Sequence, residues 1–139
     1  MSVEIHPTAI VKDGAELGEN VYIGPYCIID ENVKIGNNTR LTSHVVIQGH
    51  TTIGENNEYH QFSSIGVPPQ DKGYKNEPTE TIIGDSNLFR EGVTIHRATT
   101  KQDLKTIVGS HGYYMANVHI AHDCVIGSHI TLANGTMCA

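Results

Sequence analysis

Through most of this chain one residue in every six is aliphatic or aromatic, and no other feature restricts the fold as tightly. The series runs Val11, Leu17, Ile23, Ile29, Ile35, Leu41, Ile47, Ile53, Tyr59, Ile65. It resumes at Ile83, Phe89 and Ile95, shifts phase by one, and continues at Val108, Tyr114, Ile120, Ile126, Leu132 and Cys138. Two residues before these anchors stand small or β-branched side chains: Ala9, Ala15, Val21, Cys27, Val33, Thr39, Val45 and Thr51, with Asn57 and Ser63 as weaker members. Glycine follows many anchors, at Gly18, Gly24, Gly36, Gly54, Gly66, Gly84, Gly109 and Gly127.

Self-similarity at a short fixed period is the mark of a solenoid. Side-chain direction along a strand has period two, so an anchor and the residue two before it share one face. Each hexad therefore reads as a short strand followed by a bend, and a glycine beside the anchor suits a bend that would strain a residue with a Cβ. Three hexads close a triangular coil, and coils stack at about 4.8 Å. An antiparallel sandwich would space its turns irregularly. With hydrophobic residues at 38%, aromatics at 6% and no Trp, the core of such a prism must be Ile, Val and Leu.

A net charge of -6 disfavours a nucleic-acid partner. The start, MSVEIHPTAIV, lacks a basic stretch followed by an apolar one, so no secretion signal is expected. No apolar run approaches the roughly 20 residues of a membrane span. The cysteines Cys27, Cys124 and Cys138 are odd in number and have no CxxC spacing, which suits free thiols in a reducing cytoplasm.

The period breaks at residues 67–80, VPPQDKGYKNEPTE, and at 97–107, RATTKQDLKTI. Both segments read as loops, and loops on a rigid scaffold commonly carry function. If each loop inserts between hexads without replacing one, Ile65, Ile95 and Ile120 fall on the same side of successive coils. Both loops then leave from one edge, beside His96 and His122, with Gln70 and Asp71 hanging from the same corner.

His122 lies in the run Val118-His119-Ile120-Ala121-His122-Asp123-Cys124. A neutral imidazole is a natural general base near neutral pH, and an adjacent carboxylate can orient it and stabilise the imidazolium. A plain exposed corner histidine is the competing reading. His96, His119 and His122 also compose a possible zinc set. In an unbent strand, however, His119 and His122 would point to opposite faces.

The segments HPTAIV, IGPYCII, SHVVIQGHTTIG, PQD, NEPTETIIGD, REGVTIHRAT and ANVHIAHDCVIG strongly resemble the UDP-N-acetylglucosamine acyltransferases that begin lipid A synthesis, over essentially the whole chain. The resemblance implies an all-β, left-handed parallel β-helix of hexapeptide repeats, in a cytoplasmic homotrimer. It implies transfer of a 3-hydroxyacyl group from acyl carrier protein to the 3-position of a UDP-amino sugar, with no cofactor, no metal and no covalent enzyme intermediate. It makes His122 the general base and Asp123 its orienting carboxylate. Gln70 and Asp71 would contact the sugar or the acyl 3-hydroxyl, and His96 and His119 would line the sugar-nucleotide side. A trimeric zinc carbonic anhydrase of the same fold, and a trimerising fragment without activity, stay open as alternatives.

Two departures accompany the resemblance. Many family members carry a lysine shortly after the Asp of the QD pair, where this chain has Gly73 between Lys72 and Lys75; this leaves both the N-acetylglucosamine and its 3-amino analogue open. Family chains are also roughly twice as long, with further coils and a helical C-terminal domain. A glycine whose amide serves as oxyanion donor falls just past Ala139. A truncated chain with weak or no activity of its own is the expectation.

Overall fold

The computed structural model describes residues 2–139. Among these residues there is no helix; short strands wind into a triangular prism of three parallel sheets. The first sheet carries Ile5, Ile23, Leu41, Tyr59, Phe89, Tyr114 and Leu132 in register. The second carries Val11, Ile29, Ile47, Ile65, Ile95, Ile120 and Cys138. The third carries Leu17, Ile35, Ile53, Ile83, Val108 and Ile126. Every third anchor thus climbs one wall as a ladder, and the sequence expectation of three hexads to a coil holds.

The reason is pairing combined with burial. A two-residue strand is unstable alone, but every coil offers its amides to the carbonyls of the next. Along the second sheet Ile10 N donates to Cys27 O at 2.8 Å, Ser64 N to Val93 O at 3.0 Å, and His119 N to Thr136 O at 2.9 Å. The anchors from Ile23 to Ile120 are buried in the axis of the prism, while Val11, Leu17, Ile126 and Leu132 are only partly covered at its two ends. Burying one such aliphatic side chain contributes about 1.5–3 kcal/mol.

Aromatic anchors occupy the middle of the first sheet. Tyr59, Phe89 and Tyr114 stack in register at 4.6 and 4.8 Å between centroids, with near-parallel planes. The buried hydroxyls of Tyr59 and Tyr114 have no partner, and burial lifts the Tyr114 phenol to about 12. Polar residues at inward positions are handled differently. Asn57 Nδ2 donates to Gly84 O at 2.8 Å and Asn57 Oδ1 accepts from Asn87 N at 2.9 Å. Asn87 repeats the motif one coil on, to Gly109 O at 2.9 Å and from Gly112 N at 2.8 Å. The polar members of the repeat therefore tie coils together as well as filling space.

Two expectations need correction. Gly36, Gly54, Gly84 and Gly109 do not adopt left-handed backbone; neighbouring coils simply approach too closely for a side chain. A Cβ on Gly36 would meet Gly54 C at 2.6 Å, and one on Gly84 would meet Gly109 O at 2.8 Å. Positive φ falls two residues later, at Asn20, Asn38 and Asn56. The breaks are also shorter than read. Ser64–Val67 and Glu80–Ile83 are strands, leaving 68–79 as the first loop. Lys105–Val108 is a strand paired to Glu80–Ile83, so the second loop is 97–104.

Candidate active site

Both loops leave the edge between the second and third sheets, one after Ile65 and one after Ile95, in successive coils. In the next coil the same edge is the turn that follows His119–Ile120 and carries His122 and Asp123. Two of the unlooped turns here put a glycine in the left-handed region, Gly14 and Gly49; the turn at 121–124 puts Asp123 there, at φ 67. Aspartate tolerates this conformation better than most residues with a Cβ. Thr106 Oγ1, from the neighbouring third-sheet strand, accepts the Asp123 amide at 2.9 Å and holds the turn.

His122 Nδ1 lies 2.9 Å from Asp123 Oδ2. A carboxylate only accepts, so Nδ1 donates and Nε2 of the neutral ring keeps its lone pair. The Asp123 side chain is only 6% exposed, while that of His122 is 30% exposed, which suits an oriented base open to a ligand. Thr99, from the second loop, covers the carboxylate. Its hydroxyl donates to Oδ2 at 2.5 Å, and its amide lies 3.2 Å from both oxygens.

His96 and His119 stand beside this pair. Their rings meet edge to face at 5.0 Å. His96 is buried; its Nδ1 donates to Pro68 O at 2.7 Å, tying the second sheet to the first loop. Burial pushes the His96 imidazole below its ordinary value, and the neighbouring His119 and His122 push the same way against the Pro68 carbonyl. Burial, then His122, lowers His119 as well. His119 Nδ1 is 2.7 Å from Thr94 Oγ1. Because the chain turns after Ile120, His119 and His122 act on each other rather than sitting on opposite faces. Among the described residues no three His, Cys, Asp or Glu side chains are arranged to hold a metal ion.

Asp71 reaches the same edge. Its Oδ2 accepts from Lys101 Nζ at 2.6 Å and its Oδ1 from Gly73 N at 2.8 Å. The Lys101 ammonium, then the Gly73 amide, hold the Asp71 carboxyl below its usual range, and His122 adds to the effect. Where the resemblance expects a lysine at Gly73, a lysine from the other loop supplies the neighbouring cation. Gln70 is exposed, with no side-chain hydrogen bond to the described residues. The loops are tied twice more: Arg97 Nη1 lies 3.4 Å from the Tyr74 hydroxyl, and Thr79 Oγ1 donates to Ala98 O.

The structure thus brings together His96, His119, His122, Asp123 and Asp71, and leaves Gln70 exposed at the rim. Sequence reasoning missed Thr99, Lys101 and Thr106. Thr99 and Lys101 lie in an interruption, which is the only signal they carry.

The same fold recurs in known proteins. Residues 14–49 match the family described as bacterial transferase hexapeptide (six repeats). The acyl-[acyl-carrier-protein]–UDP-N-acetylglucosamine O-acyltransferase of Halorhodospira halophila is 53% identical over 135 residues, covering 97% of this chain and 52% of the relative. LpxA from Acinetobacter baumannii superposes with a TM-score of 0.94 at 49% identity, covering 96% of this chain and 52% of that one. The Francisella novicida UDP-N-acetylglucosamine acyltransferase gives 0.93 at 46% identity, covering 96% and 49%. The coil is left-handed, as in these neighbours. The chain spans about half the length of the relatives it matches. By repeat, by fold and by identity over nearly all its residues, this chain is homologous to about half the length of the UDP-N-acetylglucosamine acyltransferases, which are hexapeptide-repeat proteins.

Proposed function

We propose that this chain carries the general-base side of an acyltransferase acting on a UDP-amino sugar, with His122 as the base. The observation that carries the reading is the His122–Asp123 pair, 2.9 Å apart, at the edge where both loops emerge. His122 Nε2 takes the proton of the sugar 3-hydroxyl as its oxygen attacks the thioester carbonyl of a 3-hydroxyacyl group on acyl carrier protein. The tetrahedral adduct collapses, the C–S bond breaks, and the imidazolium returns its proton to the departing thiolate. Asp123 orients the ring and stabilises its charged form. Asp71 and Gln70, on the first loop, contact the sugar or the acyl 3-hydroxyl. His96, kept neutral by burial, and His119 line the sugar-nucleotide side. No step needs a metal or a cofactor.

A threefold assembly in the cytoplasm belongs to the same reading. It is supported by apolar side chains left on the outer side of the second sheet and its adjoining edge: Ile10, Ile28, Tyr26 and Phe62. Among the described residues no helix is long and apolar enough to cross a membrane.

The test is discharge of 3-hydroxyacyl-carrier protein in the presence of UDP-N-acetylglucosamine or its 3-amino analogue. His122→Ala should lower the rate by about a thousandfold or more, with the sedimentation profile unchanged. An equally active His122→Ala protein would end the assignment of His122 as base.

A further inference from the structure

We infer that Thr99 is a positioning residue for the His122–Asp123 pair, one that commits His122 to the tautomer with its lone pair on Nε2. The inference rests on the reading of His122 as the base, but its geometry stands apart from any activity. Asp123 Oδ2 sits between two side chains, His122 Nδ1 at 2.9 Å and Thr99 Oγ1 at 2.5 Å.

Hydrogen-bond accounting decides which way each proton points. Thr99 Oγ1 accepts the Lys101 amide at 3.1 Å, so its own proton is free for Asp123. The Thr99 amide is directed at the same carboxylate, 3.2 Å from both oxygens. A carboxyl group facing two fixed donors must remain an acceptor on that side. The ionised Oδ2 can hold His122 only by accepting from Nδ1, and the Thr99 hydroxyl and amide keep the carboxylate turned so that it does. Charge-assisted bonds of this kind are short and directional. Thr99 is 3% exposed, so water does not readily replace its hydroxyl.

The consequence reaches the first loop. Lys101, whose amide orients the Thr99 hydroxyl, carries the ammonium that grips Asp71 at 2.6 Å. Three residues of the second loop, 99–101, thus connect the Asp123 carboxylate to the Asp71 carboxylate. The second loop sets the base and the first-loop contact in one piece.

The experiment is long-range 15N NMR of the His122 ring at a pH where it is neutral, on the chain as it stands. In the unsubstituted chain Nδ1 carries the proton. Thr99→Val keeps the shape but removes the O–H, and should shift the ring toward the Nε2–H tautomer that free histidine prefers. Thr99→Ser should restore the Nδ1–H form. Thr99→Ala makes the same prediction without added bulk, and unchanged ladder amide shifts show that the coils are intact. A Thr99→Val or Thr99→Ala ring that stays Nδ1–H in a folded chain would overturn the inference. Where turnover is measured, Thr99→Val should cut kcat about tenfold with KM for the sugar nucleotide within about twofold. If the tautomer moves while no acyl transfer is found, the positioning role stands and the acyltransferase reading falls.

Discussion

The coils before Gly66 and the coils after it obey the same packing rule but use their edges differently. In the first region every turn is short, and its side chains answer the coil above or below. Asn20 Nδ2 donates to Asn38 Oδ1 eighteen residues on, and the rings of Tyr26, His44 and Phe62 follow one another at 5.1 and 5.4 Å. In the second region one edge throws out two loops, and their side chains answer each other instead. Asp71 meets Lys101 and Arg97 meets Tyr74, while Thr99 reaches Asp123 in the turn of the next coil. The anchors hold through the change: Ile65, Ile95 and Ile120 stay in register across both insertions, and the register shifts only beyond Ile65, where Val67 pairs with His96. A wall this regular lets chemistry be added at a corner without altering the core.

That contrast predicts where substitutions will be felt. The largest stability effect should come from the plain coils. Ile29→Ala, deep in the second sheet, should cost about 3 kcal/mol in urea unfolding; a loss under about 1 kcal/mol would mean the coils collapse around the gap. Next comes the buried asparagine ladder that spans the two regions. Asn87→Ala leaves Gly109 O and Gly112 N without their partner and should cost about 2 kcal/mol. Tyr59→Phe, which removes a hydroxyl that already lacks a partner, should cost nothing or stabilise slightly.

A separate pH effect is confined to the looped region. His96 and His119 are lowered from 6.5 in the folded chain, so the unfolded chain takes up protons first as pH falls. Stability is complete above about 6.5 and declines below it, down to the lowered folded values. His96→Gln should flatten that decline, measured as urea midpoints at pH 7.5 and 5.5; an unchanged slope would remove His96 as its source. A small stability effect also belongs to Lys101→Met. Its ammonium is largely exposed, and the change should alter stability by less than about 1 kcal/mol.

The period made the walls legible, because a one-dimensional count of six specifies which side chains face the axis and which anchors share a sheet. The same count placed His96, His122 and Asp71 at one edge before any contact was known. What it could not show were contacts made by aperiodic segments. Thr99 and Lys101 act across a loop, where spacing carries no information about direction. Lys105, Thr106 and Ile107 read as loop because a charged and a polar residue open the strand; pairing to Glu80–Ile83 decides otherwise. The glycines were located correctly and a Cβ is indeed excluded at most of them, at Gly66 by left-handed backbone and elsewhere by the approach of a neighbouring coil, which leaves no local signal.

We propose that the breaks in the repeat, rather than the repeat itself, assemble an edge that binds the sugar nucleotide. Titrating 15N-labelled chain with UDP-N-acetylglucosamine tests it most directly. Amide and ring shifts should concentrate at Asp71, His96, Thr99, His119 and His122, leaving residues before Gly66 nearly still. Shifts concentrated instead along Tyr26, His44 and Phe62 on the plain coils would contradict it.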